Sequence, residues 1–344
     1  MKLQHTILTA MAIVLATGSV TAQNNGIKNR LDPKDYDYVL ADGVTTKEIT
    51  FYSEGVACWG KIFFPKGFAE SDKRAGILLG HGWTGTHASL EQYANRFAHR
   101  GMVAMAIDYR GWGNSNGYIT LAETVKSDDQ KRRIQATADV TVKRTRLLPM
   151  KQVEDYRNAI SFLQGEPGVD SDRIGIWGSS FSGGHIVVVS ALDSRVKAAV
   201  GQVPAVSGKN VPRTPRLWPE SIRRQAIERA RTGKGGEYKT GFSTPRMVDT
   251  ETNEKTFEYH PYHYVEMVPD TTAILFIGAE NEELYGPRKN KDRGEAAAQD
   301  LKGPSKYIEL PGITHFEAYS GEAFETGSTA AADWFIEHLG SATN

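Results

Sequence analysis

The chain of 344 residues contains a single cysteine, Cys58, and no excess of charge of either sign. One cysteine excludes an intramolecular disulfide and a zinc site built from cysteines. Lysine plus arginine and aspartate plus glutamate both total 41, so the net charge is zero. A general nucleic-acid binder would be strongly basic, so no nucleic-acid partner is expected. The 40% of hydrophobic residues is enough for a large buried core, which argues against intrinsic disorder.

Long apolar runs are also scarce, and the one that approaches a membrane-spanning length lies at the N terminus. Residues 1–22 begin with a positive charge, continue through an apolar stretch from Ile7 to about Val20, and end in small residues. This pattern is typical of a cleaved secretory signal peptide, because a membrane span needs about 20 predominantly apolar residues. We expect a mature chain of residues 23–344, periplasmic or secreted, with no membrane association after cleavage.

Short apolar runs alternate with helical patterns along the rest of the chain. Eight runs are mostly continuous and aliphatic, which is typical of strands buried on both faces of a parallel sheet. They lie at 47–53, 57–64, 75–80, 102–107, 173–177, 197–202, 272–277 and 306–310. Apolar residues three and four positions apart predict helices between them. These helices lie at 89–100, 151–163, 182–193, 293–301 and 328–339. The alternation predicts an α/β three-layer sandwich.

Two segments interrupt the alternation. Residues 118–148 are polar and charged, with little strand character, and residues 204–268 are rich in proline, arginine and aromatic residues. Within the second segment, residues 209–239 contain nine lysines and arginines against three glutamates. We expect both segments to be insertions at one edge of the sheet.

A turn rich in glycine and serine, residues 178–184, supplies the candidate nucleophile. It lies between a predicted strand and a predicted helix, where a sharp turn exposes a serine at the edge of the sheet and small neighbours relieve crowding. Ser180 is favoured because it lies two residues beyond Gly178, at the tip of the turn; Ser179 and Ser182 are rivals. The pattern G-x-S-x-G has Ser182 in place of its second glycine. The alternative is a structural turn with no chemistry.

A serine hydroxyl needs an adjacent base, and we favour His315. Its loop directly follows the predicted strand at 306–310, where the third member of a catalytic triad lies over the same sheet edge. His185 is in the same helix as the nucleophile turn and cannot easily fold back onto it. Of the other histidines, four are also not favoured as the base: His81, His260, His263 and His338.

The triad acid is expected in the loop after the predicted strand at 272–277. This loop contains no aspartate, and the G-x-x-D spacing falls on Asn281, which carries no charge. Glutamate is an accepted alternative in such triads, and it would fix the imidazole tautomer. Glu282 is favoured, while Glu280 and Glu283 remain open.

Two backbone N–H groups complete the candidate site as an oxyanion hole. One belongs to Trp83, in the loop after the predicted strand at 75–80, and the other to Phe181, the residue after the nucleophile. Two such donors can supply roughly 3–4 kcal/mol each. The turn at 108–117 is expected to pack beside the nucleophile.

With these motifs in this order, the chain resembles the α/β-hydrolase superfamily. Within it, the chain is similar to the branch of dienelactone hydrolases, acetylxylan esterases and Xaa-Pro dipeptidyl-peptidases (S15). The branch resemblance rests on residues 53–55 leading into 60–65, on residues 172–178, and on the Ser182-Gly183-Gly184-His185 ending of the nucleophile turn.

The resemblance implies a mostly parallel eight-stranded sheet flanked by helices, a cap inserted at about residues 204–268, and no cofactor or metal. Dienelactone hydrolases proper use a cysteine nucleophile, but Cys58 lies in an early strand, far from any such turn.

The leading hypothesis is a serine hydrolase that cleaves small-molecule carboxylic esters through an acyl-enzyme on Ser180. One alternative is a peptidase or amidase of the Xaa-Pro dipeptidyl-peptidase type, which usually holds the substrate's amino terminus with acidic groups. Another is a catalytically inactive binding protein on a hydrolase scaffold, because fold alone does not establish activity. The sequence leaves open the oligomeric state and the acyl and alcohol specificity.

Overall fold

The fold is built on one large sheet with helices on both faces. The computed structural model describes residues 36–123, 137–214, 216–240, 246–284 and 293–340. The predicted signal peptide at residues 1–22 lies outside the described residues. Among the helices that are described, none is both long enough and apolar enough to cross a membrane.

The strands are β1 (Thr45–Ser53), β2 (Val56–Phe64), β3 (Arg74–Gly80), β4 (Val103–Ile107), β5 (Tyr118–Leu121), β6 (Val140–Lys143), β7 (Val169–Ser179), β8 (Val196–Gln202), β9 (Glu237–Thr240), β10 (Arg246–Asp249), β11 (Ala273–Ala279) and β12 (Ser305–Leu310). The α-helices are α1 (Glu91–His99), α2 (Pro149–Gln164), α3 (Phe181–Leu192), α4 (Glu220–Thr232), α5 (Glu251–Glu258), α6 (Gly294–Asp300) and α7 (Gly321–Leu339).

Eight strands form the central sheet in the order β1-β2-β4-β3-β7-β8-β11-β12. The pairs β1–β2 and β2–β4 are antiparallel, and every pair from β4–β3 to β11–β12 is parallel. The carboxyl ends of parallel strands meet at one edge, where open α/β sheets bind their ligands. The predicted α/β-hydrolase architecture, a mostly parallel eight-stranded sheet flanked by helices, is therefore confirmed.

Continuous aliphatic runs form the sheet because both of its faces are covered. Ile77 and Leu78 are adjacent in β3 and point to opposite faces, yet neither has any exposed surface. Helices α2 and α3 pack on one face through residues such as Tyr156 and Ile186. Helices α1 and α7 pack on the other, for example through Phe335. Burial of both faces is what a parallel sheet requires.

Two short strands lie within residues 118–148, where little strand character was expected, and residues 124–136 of that segment lie outside the described residues. Strands β5 and β6 pair as an antiparallel hairpin. Their apolar residues alternate with threonine, and the pairs Ile119–Val142 and Leu121–Val140 lie on one face and are exposed. Each strand is only four residues long, so the alternation is too short to stand out from its charged surroundings.

Helix α7 also differs from the prediction, because it begins at Gly321 and not at 328. The residues of its first two turns are mostly polar or small, so they do not show the spacing of apolar residues from which the helix was predicted. By contrast, all eight predicted strands correspond to those of the central sheet, with end shifts of a few residues.

The segment predicted as a cap lies between β8 and β11 and contains α4, β9, β10 and α5. Helix α4 has no buried residue and packs on α5, to which an ion pair between Arg229 and Glu254 joins it. A 3₁₀ turn at Pro261–Met267 packs against α3, the helix that follows the nucleophile candidate. One end of the insertion therefore supports the candidate site directly.

Candidate active site

Ser180 lies at the tip of the turn between β7 and α3, in a strained backbone conformation. Its φ of 54° and ψ of −118° are sparsely populated by residues with a side chain. Such strain costs about 1–3 kcal/mol and persists only where the surroundings impose it. Here the Ser180 N–H donates to the Gln202 carbonyl at 2.8 Å, and the Ser180 carbonyl accepts from the Ala205 N–H at 2.8 Å. Strand β8 and the residues after it thus fix the turn from one side.

Two glycines make room for this turn. A Cβ added to Gly178 would lie 2.4 Å from the Ser182 carbonyl oxygen. A Cβ added to Gly82, in the loop after β3, would lie 2.9 Å from the Ser180 Cβ. Both distances are below ordinary van der Waals contact, so the close approach of these segments to the serine requires glycine.

Ser182, which replaces the second glycine of the usual pattern, faces the core. Its hydroxyl lies 2.9 Å from the Tyr109 hydroxyl and 2.7 Å from the Tyr156 hydroxyl, and all three residues are buried. Tyr156 also donates to the Trp177 carbonyl at 2.8 Å. The buried tyrosine hydroxyls need hydrogen-bond partners, and the serine supplies one. Ser182 is therefore a support beneath the turn and not at its tip.

His315 and Glu282 meet Ser180 at the same sheet edge. Nε2 of His315 lies 3.0 Å from Oγ of Ser180, although 135 positions separate them. Nδ1 of His315 lies 2.7 Å from Oε2 of Glu282. Both His315 and Glu282 are 1% exposed. An Nδ1–H that donates to the carboxylate leaves the Nε2 lone pair facing the serine hydroxyl, as general-base chemistry requires.

The topology explains why residues so distant in sequence meet. Ser180 follows β7, Glu282 follows β11 and His315 follows β12, and these strands are parallel members of one sheet. Their carboxyl ends therefore open at one edge. The loop after β3, which carries Trp83, opens at this edge as well.

The two rival glutamates contact backbone atoms of the histidine loop. Glu280 Oε2 accepts the Gly312 N–H at 2.7 Å. Glu283 Oε2 accepts the His315 N–H at 2.9 Å. Of the three glutamates in this loop, Glu282 is the one whose carboxylate bonds the imidazole.

The two predicted oxyanion donors belong to segments that meet at Ser180. Phe181 is the first residue of α3, where backbone N–H groups have no acceptor within the helix. Trp83 follows Gly82, which approaches Ser180 closely. The Trp83 and Phe181 rings pack edge to face with centroids 5.1 Å apart. The aromatic contact holds the two loops together beside the serine.

A second histidine–carboxylate pair fastens the loop that carries Trp83, and the sequence reading missed it. Asp108 is fully buried and accepts the backbone N–H of His87 at 2.7 Å and its ring Nδ1–H at 2.6 Å. It also accepts the Asn114 N–H at 2.8 Å. Asp108 therefore links the loop after β3 to the turn after β4.

Other reactive groups are engaged in the core. His185 donates Nε2–H to Gln152 at 3.0 Å and accepts from the Tyr259 hydroxyl at 2.6 Å. Burial lowers the pKa of His185 to about 3, so the ring stays neutral.

Cys58 is buried, and burial raises the pKa of its thiol to about 12, which leaves it unreactive. His81 bonds the carbonyl of its neighbour Gly82 at 3.0 Å, within the loop after β3.

Comparison with known proteins identifies a family. The family model for acetyl xylan esterase (AXE1) matches residues 20–213. An uncharacterized 31.7 kDa protein in the traX-finO intergenic region of Escherichia coli is 26% identical over 313 residues, which cover 83% of this chain and 97% of that protein. The quorum-quenching protein AidA of Acinetobacter baumannii (strain MDR-ZJ06) is 28% identical over 162 residues, 47% of this chain and 44% of AidA.

Solved structures share the fold at low sequence identity. The hypothetical protein PA2218 from Pseudomonas aeruginosa superposes with a TM-score of 0.67 at 20% identity, covering 91% of this chain and 99% of its own. The α/β hydrolase GrgF from Penicillium sp. sh18 gives 0.66 at 17% identity, over 86% and 99% of the two chains. Est1E from Butyrivibrio proteoclasticus, solved with ferulic acid, gives 0.57 at 16% identity, over 85% and 99%. These likenesses establish the fold.

Proposed function

The chain belongs to the acetyl xylan esterase (AXE1) family, and from that premise we propose that it cleaves carboxylic esters through an acyl-enzyme formed on Ser180. His315 is the general base in this proposal, and Glu282 is the carboxylate that orients it. Family membership makes the chain a carboxylic ester hydrolase. The observation that supports the mechanism most directly is the continuous hydrogen-bond chain from Glu282 through His315 to Ser180, at 2.7 and 3.0 Å.

The first half of the reaction forms the acyl-enzyme. Ser180 Oγ attacks the ester carbonyl carbon while its proton passes to His315 Nε2. The imidazolium keeps its Nδ1–H on Glu282, which stabilises the new positive charge. The carbonyl oxygen becomes an oxyanion, for which the backbone N–H groups of Trp83 and Phe181 are the proposed donors. His315 then gives its proton to the departing alkoxide, which leaves as the alcohol.

The second half hydrolyses the acyl-enzyme. A water molecule attacks the acyl carbonyl and passes a proton to His315 Nε2, and collapse of the oxyanion returns that proton to Ser180 Oγ. The products are a carboxylic acid and the free enzyme. Every proton in both halves has a donor and an acceptor among the substrate, water, Ser180 and His315.

Membership in an esterase family supports a small-molecule ester as the substrate class. The alternative activity, a peptidase of the Xaa-Pro type, needs acidic groups to hold the amino terminus of its substrate. Residues 209–239 of the insertion instead carry nine basic residues against three acidic ones. This charge favours neutral or anionic substrates.

The experiment compares purified residues 23–344 on short-chain p-nitrophenyl esters and on dipeptidyl p-nitroanilides, with Ser180→Ala as the matched control. We expect ester turnover that the substitution abolishes, and far lower turnover of the amides. Amide turnover that exceeds ester turnover would favour the peptidase. No turnover of either, together with no labelling by a fluorophosphonate, would favour a binding protein.

We also propose export through residues 1–22, which the pattern of that segment supports. Expression of the full chain in a bacterium, followed by fractionation and N-terminal sequencing, tests it. The expected product is periplasmic or secreted and begins at Gln23. An uncleaved cytoplasmic product would contradict export.

A further inference from the structure

The loop that carries His315 is attached to the loop after β11 by three glutamates. Glu280 accepts the Gly312 N–H at 2.7 Å, Glu282 accepts the imidazole Nδ1–H at 2.7 Å, and Glu283 accepts the His315 N–H at 2.9 Å.

Two backbone hydrogen bonds also join the two loops. One runs from the Glu280 N–H to the Leu310 carbonyl at 3.0 Å, and the other from the Asn281 N–H to the Ile313 carbonyl at 2.9 Å. The two loops therefore form one unit.

His315 is the residue of this unit that is held twice. Glu282 bonds its ring and Glu283 bonds its backbone N–H, so both the imidazole and the main chain of His315 are fixed relative to the loop after β11. If Glu282 bonded Nδ1 and nothing held the His315 backbone, the ring and the Glu282 carboxylate could move together when the histidine loop moved. Bonds to both positions fix the direction in which Nε2 points.

The backbone of the histidine loop needs this support. The loop leaves β12 through Gly312, whose φ of 72° lies in the left-handed region, and it forms no regular element before the 3₁₀ turn at Glu317–Tyr319. Glu317 holds the neighbouring residue, because its carboxylate accepts both the N–H and the hydroxyl of Thr314 at 2.8 Å. Carboxylates thus order the loop on both sides of the imidazole.

We propose that Glu283 is a positioning residue for ester hydrolysis, which fixes the His315 backbone so that Nε2 stays aligned with Ser180 Oγ. This inference rests on the proposed function. Glu283 touches neither the substrate nor the reacting atoms, and it acts through His315. Its removal should lower turnover because small displacements of a catalytic group are costly.

The matched control is Glu280, which makes the same kind of contact in the same loop, but to a residue three positions before the histidine. The variants are Glu283→Ala, Glu283→Gln and Glu280→Ala in the purified chain. For each we measure kcat and KM with p-nitrophenyl acetate, the thermal midpoint, and the low-field proton NMR signal of the His315 Nδ1–H.

We expect Glu283→Ala to lower kcat by about ten- to a hundredfold with KM changed less than about twofold, and to broaden or remove the low-field signal. Glu283→Gln should restore most of kcat, because an amide oxygen also accepts the backbone N–H. Glu280→Ala should change kcat by less than about threefold and keep the signal. A merely structural part in loop stability would move the thermal midpoint without separating kcat from KM.

Equal kcat values for Glu283→Ala and Glu280→Ala would overturn the proposal, and so would a Gln variant as slow as the Ala variant. Failure of the proposed function is a different result, in which the unsubstituted chain neither turns over esters nor reacts with a fluorophosphonate. Even then the low-field signal tests the positioning. Its loss in Glu283→Ala and persistence in Glu280→Ala supports the inference, and its persistence in both contradicts it.

Discussion

Replacement of Glu282 by glutamine changes one atom at the centre of the proposed site. The carboxylate uses both oxygens as acceptors, since Oε2 bonds the His315 Nδ1–H at 2.7 Å and Oε1 bonds the Leu284 N–H at 3.0 Å. A carboxamide has only one acceptor oxygen. Whichever way it is turned, its NH₂ group faces either the backbone donor or the imidazole.

The less costly arrangement keeps the amide oxygen on Leu284 and turns the NH₂ group toward His315. The imidazole then accepts at Nδ1 and carries its proton on Nε2, which can no longer take the proton of Ser180. The analogous aspartate-to-asparagine change in a serine protease triad lowers kcat about 10⁴-fold. We expect Glu282→Gln to lower kcat by about 10³–10⁴-fold, equivalent to roughly 4–5.5 kcal/mol. Both partners are buried, so water cannot replace the lost interaction.

The assay is steady-state hydrolysis of p-nitrophenyl acetate, with circular dichroism to verify the fold. Glu280→Gln is the matched control, because its amide oxygen can still accept the Gly312 N–H. We expect the control to keep kcat within about threefold. Equal and small losses for both variants would refute the reasoning and show that the triad acid is another carboxylate.

Gly82→Ala places a Cβ 2.9 Å from the Ser180 Cβ, and we expect it to lower kcat/KM at least about tenfold by displacing an oxyanion donor; unchanged kinetics would contradict the close approach. Ser182→Ala removes the partner of the Tyr109 hydroxyl and should lower the free energy of unfolding in urea by about 1–3 kcal/mol, whereas loss of fluorophosphonate labelling with the fold intact would show that the wrong serine was chosen. Because burial lowers the pKa of His185 to about 3 from 6.5, the unfolded chain binds a proton that the folded chain does not. Stability should therefore fall as the pH drops from about 6.5 toward 3, by up to about 1.4 kcal/mol per pH unit, and His185→Gln should reduce that slope; equal slopes would contradict it.

The fold, and the positions of the serine and the histidine of the proposed triad, were predictable from local sequence. Strands buried on both faces appear as continuous aliphatic runs, and a serine between such a run and a helix has few structural alternatives. The position of His315 follows from its loop after the last strand of the sheet. These features are short-range, since each depends on a residue and its immediate neighbours.

What the sequence left open depends on contacts between distant segments. Glu280, Glu282 and Glu283 are equivalent in a one-dimensional pattern, and they differ because the pleat and the turn after β11 aim them at different atoms of the histidine loop. The part played by Ser182 depends on Tyr109 and Tyr156, which lie 73 and 26 positions away.

The hairpin of β5 and β6 and the pair of His87 and Asp108 escaped sequence reading for related reasons. The hairpin strands are four residues each and carry exposed apolar side chains, so neither length nor burial marked them. His87 and Asp108 lie 21 positions apart, and only the adjacent ends of β3 and β4 bring them together.

The central claim is that Ser180 is the nucleophile activated by His315. Its most direct test is mass-spectrometric mapping of the chain after reaction with a fluorophosphonate, combined with the burst of p-nitrophenol in the first turnover. We predict one adduct per chain on Ser180, a burst of about one equivalent, and neither in His315→Ala. Ester hydrolysis that persists in Ser180→Ala, or an adduct on Ser179 or Ser182, would contradict the account.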